Sequence, residues 1–180
     1  MHTILQRLRE TSNAPKVLCI DGPAGAGKTE LSAAIASEFT SVYIIHMDDQ
    51  YDGWDDSLGD ALSERLQKSI IQPLRAGNAL RLQTYDWHTS TFGPEVEVAI
   101  PELLIIEGVG AAQQIMRDIA TLTVFVEIDD AAGRERVIAR DGDYMVERID
   151  EWQRQQSEHH KKHRTRESCD LVLGANWWKN

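Results

Sequence analysis

Nothing in this sequence of 180 residues approaches the roughly 20 consecutive apolar positions of a membrane-spanning helix, and Met1 to Arg7 lack the apolar core of a secretory signal. Positive charge is scarce: 19 Lys and Arg stand against 29 Asp and Glu, for a formal net charge of −10. A field of that sign repels nucleic-acid backbones and anionic membranes, so neither is expected as a partner, although one pocket can still be positive on a negative molecule. Cysteine is nearly missing. Cys19 and Cys169 each lie in or beside an apolar strand-like run, and no C-x-x-C occurs. Buried free thiols and a cytoplasmic location are the expectation. There is no internal repeat, no low-complexity tract and no break in composition, so residues 1–180 are expected to form one domain around one α/β core. Association into a homo-oligomer is left open.

What the chain does have is Gly22-Pro23-Ala24-Gly25-Ala26-Gly27-Lys28-Thr29, which reads G-x-x-x-x-G-K-T. An apolar run, Lys16 to Asp21, precedes it with the length and branching of a buried strand. Glu30 to Phe39 follows with apolar residues at helical spacing and no Pro or Gly. In that setting the glycines let backbone N–H groups turn inward onto phosphate oxygens, and the helix offers its unpaired N–H groups to the same oxygens. Lys28 can reach the β- and γ-phosphates of a nucleotide, and the Thr29 hydroxyl can ligate Mg²⁺.

The rest of the chain alternates strand and helix. An amphipathic helix is expected over residues 3–11, ended by Asn13-Ala14-Pro15. Further strands are expected at residues 42–47, 103–108, 122–128 and 171–173. Helices are expected over 60–76, with a kink near Pro73, and over 111–119, 130–139 and 144–166. Residues 53–58 read as a polar, mobile connection. Residues 80–85 and 96–100 alternate and suggest a hairpin off the main sheet. Such alternation means a parallel sheet covered by helices on both faces, with ligands at the carboxyl ends of its strands. The glycine loop, Asp48 to Tyr51 and Glu107 all fall at such ends.

Asp48 and Asp49 follow the second strand. A carboxylate there can accept the proton of an attacking hydroxyl, with Asp48 favoured and Asp49 in reserve. Glu107 closes an otherwise apolar strand, where a carboxylate must be paired or near a metal. Arg136 and Arg140 share a helix face and read either as a lid over phosphate or as a solvated face paired with Glu135 and Asp141. His159, His160 and His163 have metal-like spacing, but Lys161, Lys162 and Arg164 are interleaved, so a solvated face is expected. Trp177-Trp178 is expected to pack the tail onto the body.

The chain resembles the uridine kinase and phosphoribulokinase group of P-loop kinases, and in particular its short bacterial uridine-kinase-like branch. The resemblance runs from Val17 to Leu173. It rests on Asp21-Gly22 to Thr29, Met47-Asp48-Asp49-Gln50-Tyr51, Thr84-Tyr85-Asp86-Trp87, Ile106-Glu107-Gly108, Arg140-Asp141 and Cys169 to Leu173. It implies a five-stranded parallel sheet in the order 2-3-1-4-5, a small acceptor-site hairpin and a helical lid. It also implies ATP and Mg²⁺ as cofactors and phosphoryl transfer to a hydroxyl of a nucleoside such as uridine or cytidine. Asp48 would be the base, Lys28 and Arg140 would act on the transferred group, and Arg136 would join residues 22–29 in holding ATP. Thr29 and Glu107 would serve Mg²⁺. Asp49, Tyr51, Tyr85, Asp86, Trp87 and His88 would bound the acceptor. The family's histidine two residues past the aromatic of Tyr-Asp-Phe is Thr89 here, and its second lid arginine is Val137. The readings that stay open are another acceptor (a sugar, a vitamin precursor or a nucleoside monophosphate) and a nucleotide-binding regulator without acceptor phosphorylation.

Overall fold

The computed structural model describes residues 1–12 and 14–177. In chain order its elements begin with α1 (His2–Glu10), β1 (Lys16–Asp21), α2 (Lys28–Ala36) and β2 (Val42–His46). α3 (Asp60–Leu66), α4 (Gln72–Ala76), β3 (Leu80–Leu82), β4 (Tyr85–Asp86), β5 (Thr91–Phe92) and β6 (Val96–Val98) follow. The chain then runs through β7 (Leu103–Glu107), α5 (Gln114–Arg117), β8 (Leu122–Glu127), α6 (Asp130–Asp141), α7 (Ile149–His163), α8 (Thr165–Ser168) and β9 (Leu171–Gly174).

β2, β7, β1, β8 and β9 form a five-stranded parallel sheet in that spatial order. Counted along the chain within the sheet, that is 2-3-1-4-5. All five residues of β7 are buried, as a central strand covered on both faces requires. Alternation along β1 splits the core. Val17 and Cys19 pack on one face with Leu104, Ile106 and Trp152, while Leu18 and Ile20 pack on the other with Ile4, Leu31 and Val126. Cys19 is buried and Cys169 half-buried, both as free thiols. β3 and β6 pair antiparallel as a hairpin apart from this sheet, and β4 with β5 forms a second small ladder.

Four segments differ from expectation, the first being the helix expected over 144–166, which starts only at Ile149 and ends at His163, where Arg164 turns left-handed before α8. The helix of residues 60–76 is interrupted by a π-helical turn at Gln67–Ile71, so the irregularity lies just before Pro73, whose ring cannot accept regular packing against the preceding turn. The helix expected over 111–119 shortens to α5, because the Asp21 carboxylate takes the N–H groups of Gly110 and Ala112 and holds residues 108–113 as a loop. Residues 53–58 are docked rather than loose. Ser57 and Leu58 are buried, Gln155 donates to the Trp54 carbonyl at 3.1 Å, and His159 Nδ1 lies 3.1 Å from the Leu58 carbonyl. Trp177 packs against the α1–α2 side of the core, whereas Trp178 lies outside the described residues. Among the described residues no helix is long and apolar enough to cross a membrane.

Candidate active site

β1 delivers the chain to residues 22–27, and α2 begins at Lys28. Gly25 sits at φ +79°, where its hydrogen faces the Gly133 carbonyl of α6; a Cβ there would lie 2.6 Å from that oxygen. The first half of the loop is tied down by acceptors: Asp21 Oδ1 takes the Gly22 N–H at 2.7 Å, and Gln156 Oε1 takes that of Ala24 at 3.1 Å. Among the described residues the N–H groups of Gly25, Gly27, Lys28 and Thr29 have no acceptor. Donors clustered at a helix start are a cradle for an anion, as the sequence pattern predicted. The Lys28 ammonium donates to the Gly22 and Pro23 carbonyls at 2.8 Å each, leaving its third proton unclaimed by the loop.

Across the sheet, β2 ends at His46 and a 3-10 turn at Met47–Asp49 carries Asp48 over the strand ends. Asp48 is accessible, but only within a cavity whose walls surround it. That enclosure pushes its carboxyl above the usual range, with the Lys28 charge opposing the shift and Glu107 adding to it. Burial lowers the Lys28 ammonium, opposed by Glu107, Asp21 and Asp48. The two groups therefore feel each other's charge at one site. Glu107 stands between β1 and β2, in register with Ile20 and His46. One of its oxygens accepts the Thr29 hydroxyl at 3.0 Å and lies 2.6 Å from His46 Nδ1.

These groups open into a cavity of about 1270 Å³. Its ionic lining is Lys28, Arg136 and Arg140 against Glu30, Asp48, Glu107 and Asp141, three cations against four carboxylates. A polyphosphate added to that set needs a divalent cation to balance it, and the Thr29 hydroxyl and Glu107 carboxylate are oxygen donors of the kind Mg²⁺ prefers. Among the described residues no cluster of three or more His, Cys, Asp or Glu forms a site for a bare metal ion.

One wall of the cavity is aromatic. Tyr51, Trp54, Trp87 and Trp152 line it, with Trp54 5.0 Å from Trp87 and 6.0 Å from Trp152, and Tyr51 5.3 Å from Trp152 between ring centroids. The Tyr51 hydroxyl is bonded to the Val109 carbonyl at 2.8 Å, and the side chain is 1% exposed, at the back of that wall. His88 also lines it, while Thr89 turns away to bond Thr91.

Not every expected residue reaches this space. Gly22, Pro23 and Ala26 shape the loop without lining the cavity. Asp49, Tyr85 and Asp86 do not line it either. The Asp86 carboxylate caps its own turn, accepting from the N–H groups of His88 and Thr89. Tyr85 is 6% exposed and braces Trp87 edge-on from behind at 5.1 Å. Asp49 is half-buried, and its ionisation is governed by that burial and by neighbouring His46. Arg136 and Arg140 both border the cavity; Arg136 donates to the Gly25 carbonyl, and Arg140 grips Asp141 through two bonds of 2.6 and 2.7 Å. Arg140 thus borders the cavity while paired with Asp141, as one of the two sequence readings had it.

The histidines of α7 are not a solvated face. His159 is 4% exposed, His160 Nε2 lies 3.0 Å from the buried Asp21, and His163 Nδ1 accepts the Gln114 N–H. Sequence reasoning also passed over His46, Trp54, Trp152 and Gln156. Only for Trp152, Gln156 and His160 was there a signal, their spacing of four on one helix.

A parallel sheet of this order, with a glycine loop between its first strand and first helix, defines the P-loop kinase fold. No protein-family model matches the chain. The uridine kinase of Streptococcus gordonii is 28% identical over 146 residues, spanning 72% of this chain and 69% of that protein. A solved structure described as a possible uridine kinase from Bacillus stearothermophilus superposes with a TM-score of 0.67 at 20% identity, covering 96% of both chains. The shikimate kinase of Bacteroides thetaiotaomicron superposes with a TM-score of 0.51 at 17% identity, covering 89% of this chain and 87% of that one. The chain is thus similar in sequence to uridine kinases and shares the fold of P-loop kinases.

Proposed function

We propose that this chain, acting as one catalytic unit, uses ATP and Mg²⁺ to phosphorylate a hydroxyl of a small molecule, with a nucleoside of the uridine or cytidine kind as acceptor. The observation that carries this reading is that Asp48 and Lys28, delivered by different strand ends, line one cavity. The free amides of Gly25, Gly27, Lys28 and Thr29 bind the phosphates, and Lys28 leaves its loop carbonyls for their oxygens. Thr29 would hold the magnesium ion, with Glu107 acting on it through water, and the ion would supply charge neutralisation. Asp48 accepts the proton of the acceptor hydroxyl; its raised affinity for protons makes it a stronger base than an ordinary carboxylate. Arg136 and Arg140 cover the phosphates and exclude water. The flat acceptor lies against Tyr51, Trp87, Trp54 and Trp152, and His88 supplies a polar contact in place of Thr89. The nucleoside assignment draws on that aromatic wall and on the name of the relatives.

The test is ADP release over nucleosides, nucleotides and small sugars, with Asp48→Asn beside the natural chain. We expect a pyrimidine nucleoside to raise turnover above the acceptor-free baseline, and Asp48→Asn to lower that increment by about 100-fold or more. Stimulation by a sugar alone reassigns the acceptor. No stimulation by any acceptor leaves a nucleotide-binding regulator.

A further inference from the structure

Trp152, Gln156 and His160 lie four residues apart and form one inward stripe of α7. Trp152 belongs to the aromatic wall. One turn later Gln156, 2% exposed, accepts the Ala24 N–H of the glycine loop at 3.1 Å. One turn further, His160 Nε2 stands 3.0 Å from Asp21 Oδ1. An ionised carboxylate is acceptor-only, so this bond fixes the proton on Nε2. Asp21 is fully buried, and its two oxygens also take the N–H groups of Gly22 at 2.7 Å, Gly110 at 3.2 Å and Ala112 at 2.8 Å. One carboxylate therefore joins the start of the glycine loop to the loop after β7, and the histidine of α7 is its only side-chain donor among the described residues.

We propose that Gln156 and His160 are positioning residues for the nucleotide. They hold the first half of the loop, Gly22 to Ala24, so that the N–H groups of Gly25, Gly27, Lys28 and Thr29 point together at the phosphate position. This rests on the reading that the loop takes a nucleotide. The Gln156 bond engages the Ala24 N–H and the His160 bond the Asp21 carboxylate, neither of them among the free amides of the cradle, so their effect on binding comes through loop shape alone. Without the Gln156 oxygen the Ala24 N–H seeks another acceptor and the loop relaxes. Without the His160 donor Asp21 loses the partner that orients Oδ1 toward Gly22.

The experiment measures Mg·ATP affinity of the full chain by titration calorimetry, well below the unfolding temperature. Gln156→Met keeps length and volume but has no amide acceptor; Gln156→Glu keeps an acceptor. His160→Phe keeps the ring but has no donor; His160→Gln places an amide donor near the Nε2 position. His160→Asn, too short to reach Asp21, serves if the Phe variant does not fold. We expect the Met and Phe (or Asn) variants to weaken ATP binding about tenfold, and the Glu and Gln variants to stay within about threefold of the natural chain. Arg154→Ala, on the exposed face of α7, is expected to leave affinity unchanged. Natural affinity in the folded Met and Phe variants would overturn the proposal, and so would an equal loss in all four. Absence of ATP binding by the natural chain overturns both this proposal and the kinase reading. ATP binding with the expected pattern but no acceptor-dependent turnover removes the kinase reading and leaves this one standing.

Discussion

Asp21 is fully buried and Asp48 lines the cavity with part of its surface exposed, and their carboxyls shift in opposite directions. Burial raises both. At Asp21 the His160 hydrogen bond and charge and the N–H groups of Ala112 and Gly22 outweigh burial and bring it below the usual range. At Asp48 the Lys28 and Arg140 charges do not overcome burial. Asp21 is thus held as an anion, whereas Asp48 keeps a raised affinity for protons. His159 gives a direct test of burial acting on a cation. Burial first, then the His163 charge, lowers it from 6.5 to about 4, and its Nε2 has no partner among the described residues. The folded state therefore binds fewer protons than the unfolded state between those values. Stability should fall by about 3 kcal/mol as pH drops from 7 to 4, and His159→Asn, whose amide can still reach the Leu58 carbonyl, should remove most of that slope. Denaturant titrations at several pH values check this; equal slopes in both proteins would refute it.

At the scale of elements, α6 meets the glycine loop backbone to backbone. A Cβ on Gly133 would lie 2.8 Å from the Ala24 carbonyl, and one on Gly25 would lie 2.6 Å from the Gly133 carbonyl. Glycine inside a helix ordinarily costs about 1 kcal/mol relative to alanine, so on propensity alone Gly133→Ala should stabilise. The close approach reverses the sign, because the neighbour that must move is backbone and not a flexible side chain. Gly133→Ala is expected to destabilise by roughly 1–3 kcal/mol and to weaken nucleotide binding. Urea unfolding and ATP titration measure both, and a stabilised variant with natural affinity would mean that α6 does not press on the loop. The same contact explains how Arg136 and Arg140, one turn apart on α6, come to border the cavity.

For the whole molecule, a net charge of −10 opposes a polyanion, and the cavity lining is itself negative by one charge. Nucleotide should therefore bind as its magnesium complex and poorly without the metal. At a hundredfold excess over its dissociation constant, Mg·ATP should stabilise the fold by about 2.7 kcal/mol, a rise of roughly 5–10 °C in Tm for a chain of this size. Chelation of the metal or Lys28→Ala should remove most of that rise. A rise unaffected by either change would place the nucleotide elsewhere.

The strands of the sheet and the glycine loop were legible in the sequence because they depend on short-range signals, whereas the strand order came from the family resemblance. Lys16 to Asp21 and Leu103 to Glu107 are apolar at every position a doubly covered strand requires, and the loop carries its glycines, lysine and threonine at fixed spacing. Asp48 could be placed at the cavity for the same reason, since it directly follows its strand, while Tyr51, Trp87 and His88 were placed through the family resemblance. Asp86 could not be separated from them, because a carboxylate that caps its own turn reads in sequence like one that faces a ligand. The histidines of α7, the docking of residues 53–58 and the shortening of α5 depended on contacts across 50 to 140 positions of chain, such as His160 with Asp21 and His159 with Leu58. Local composition determined which segments form strands and where a phosphate can sit. Only the packing of α7 against the strand ends decided that Trp152 joins the aromatic wall, that Gln156 holds the loop and that a charged-looking helix face is buried, because hydrogen bonds between distant segments leave no periodicity in the chain.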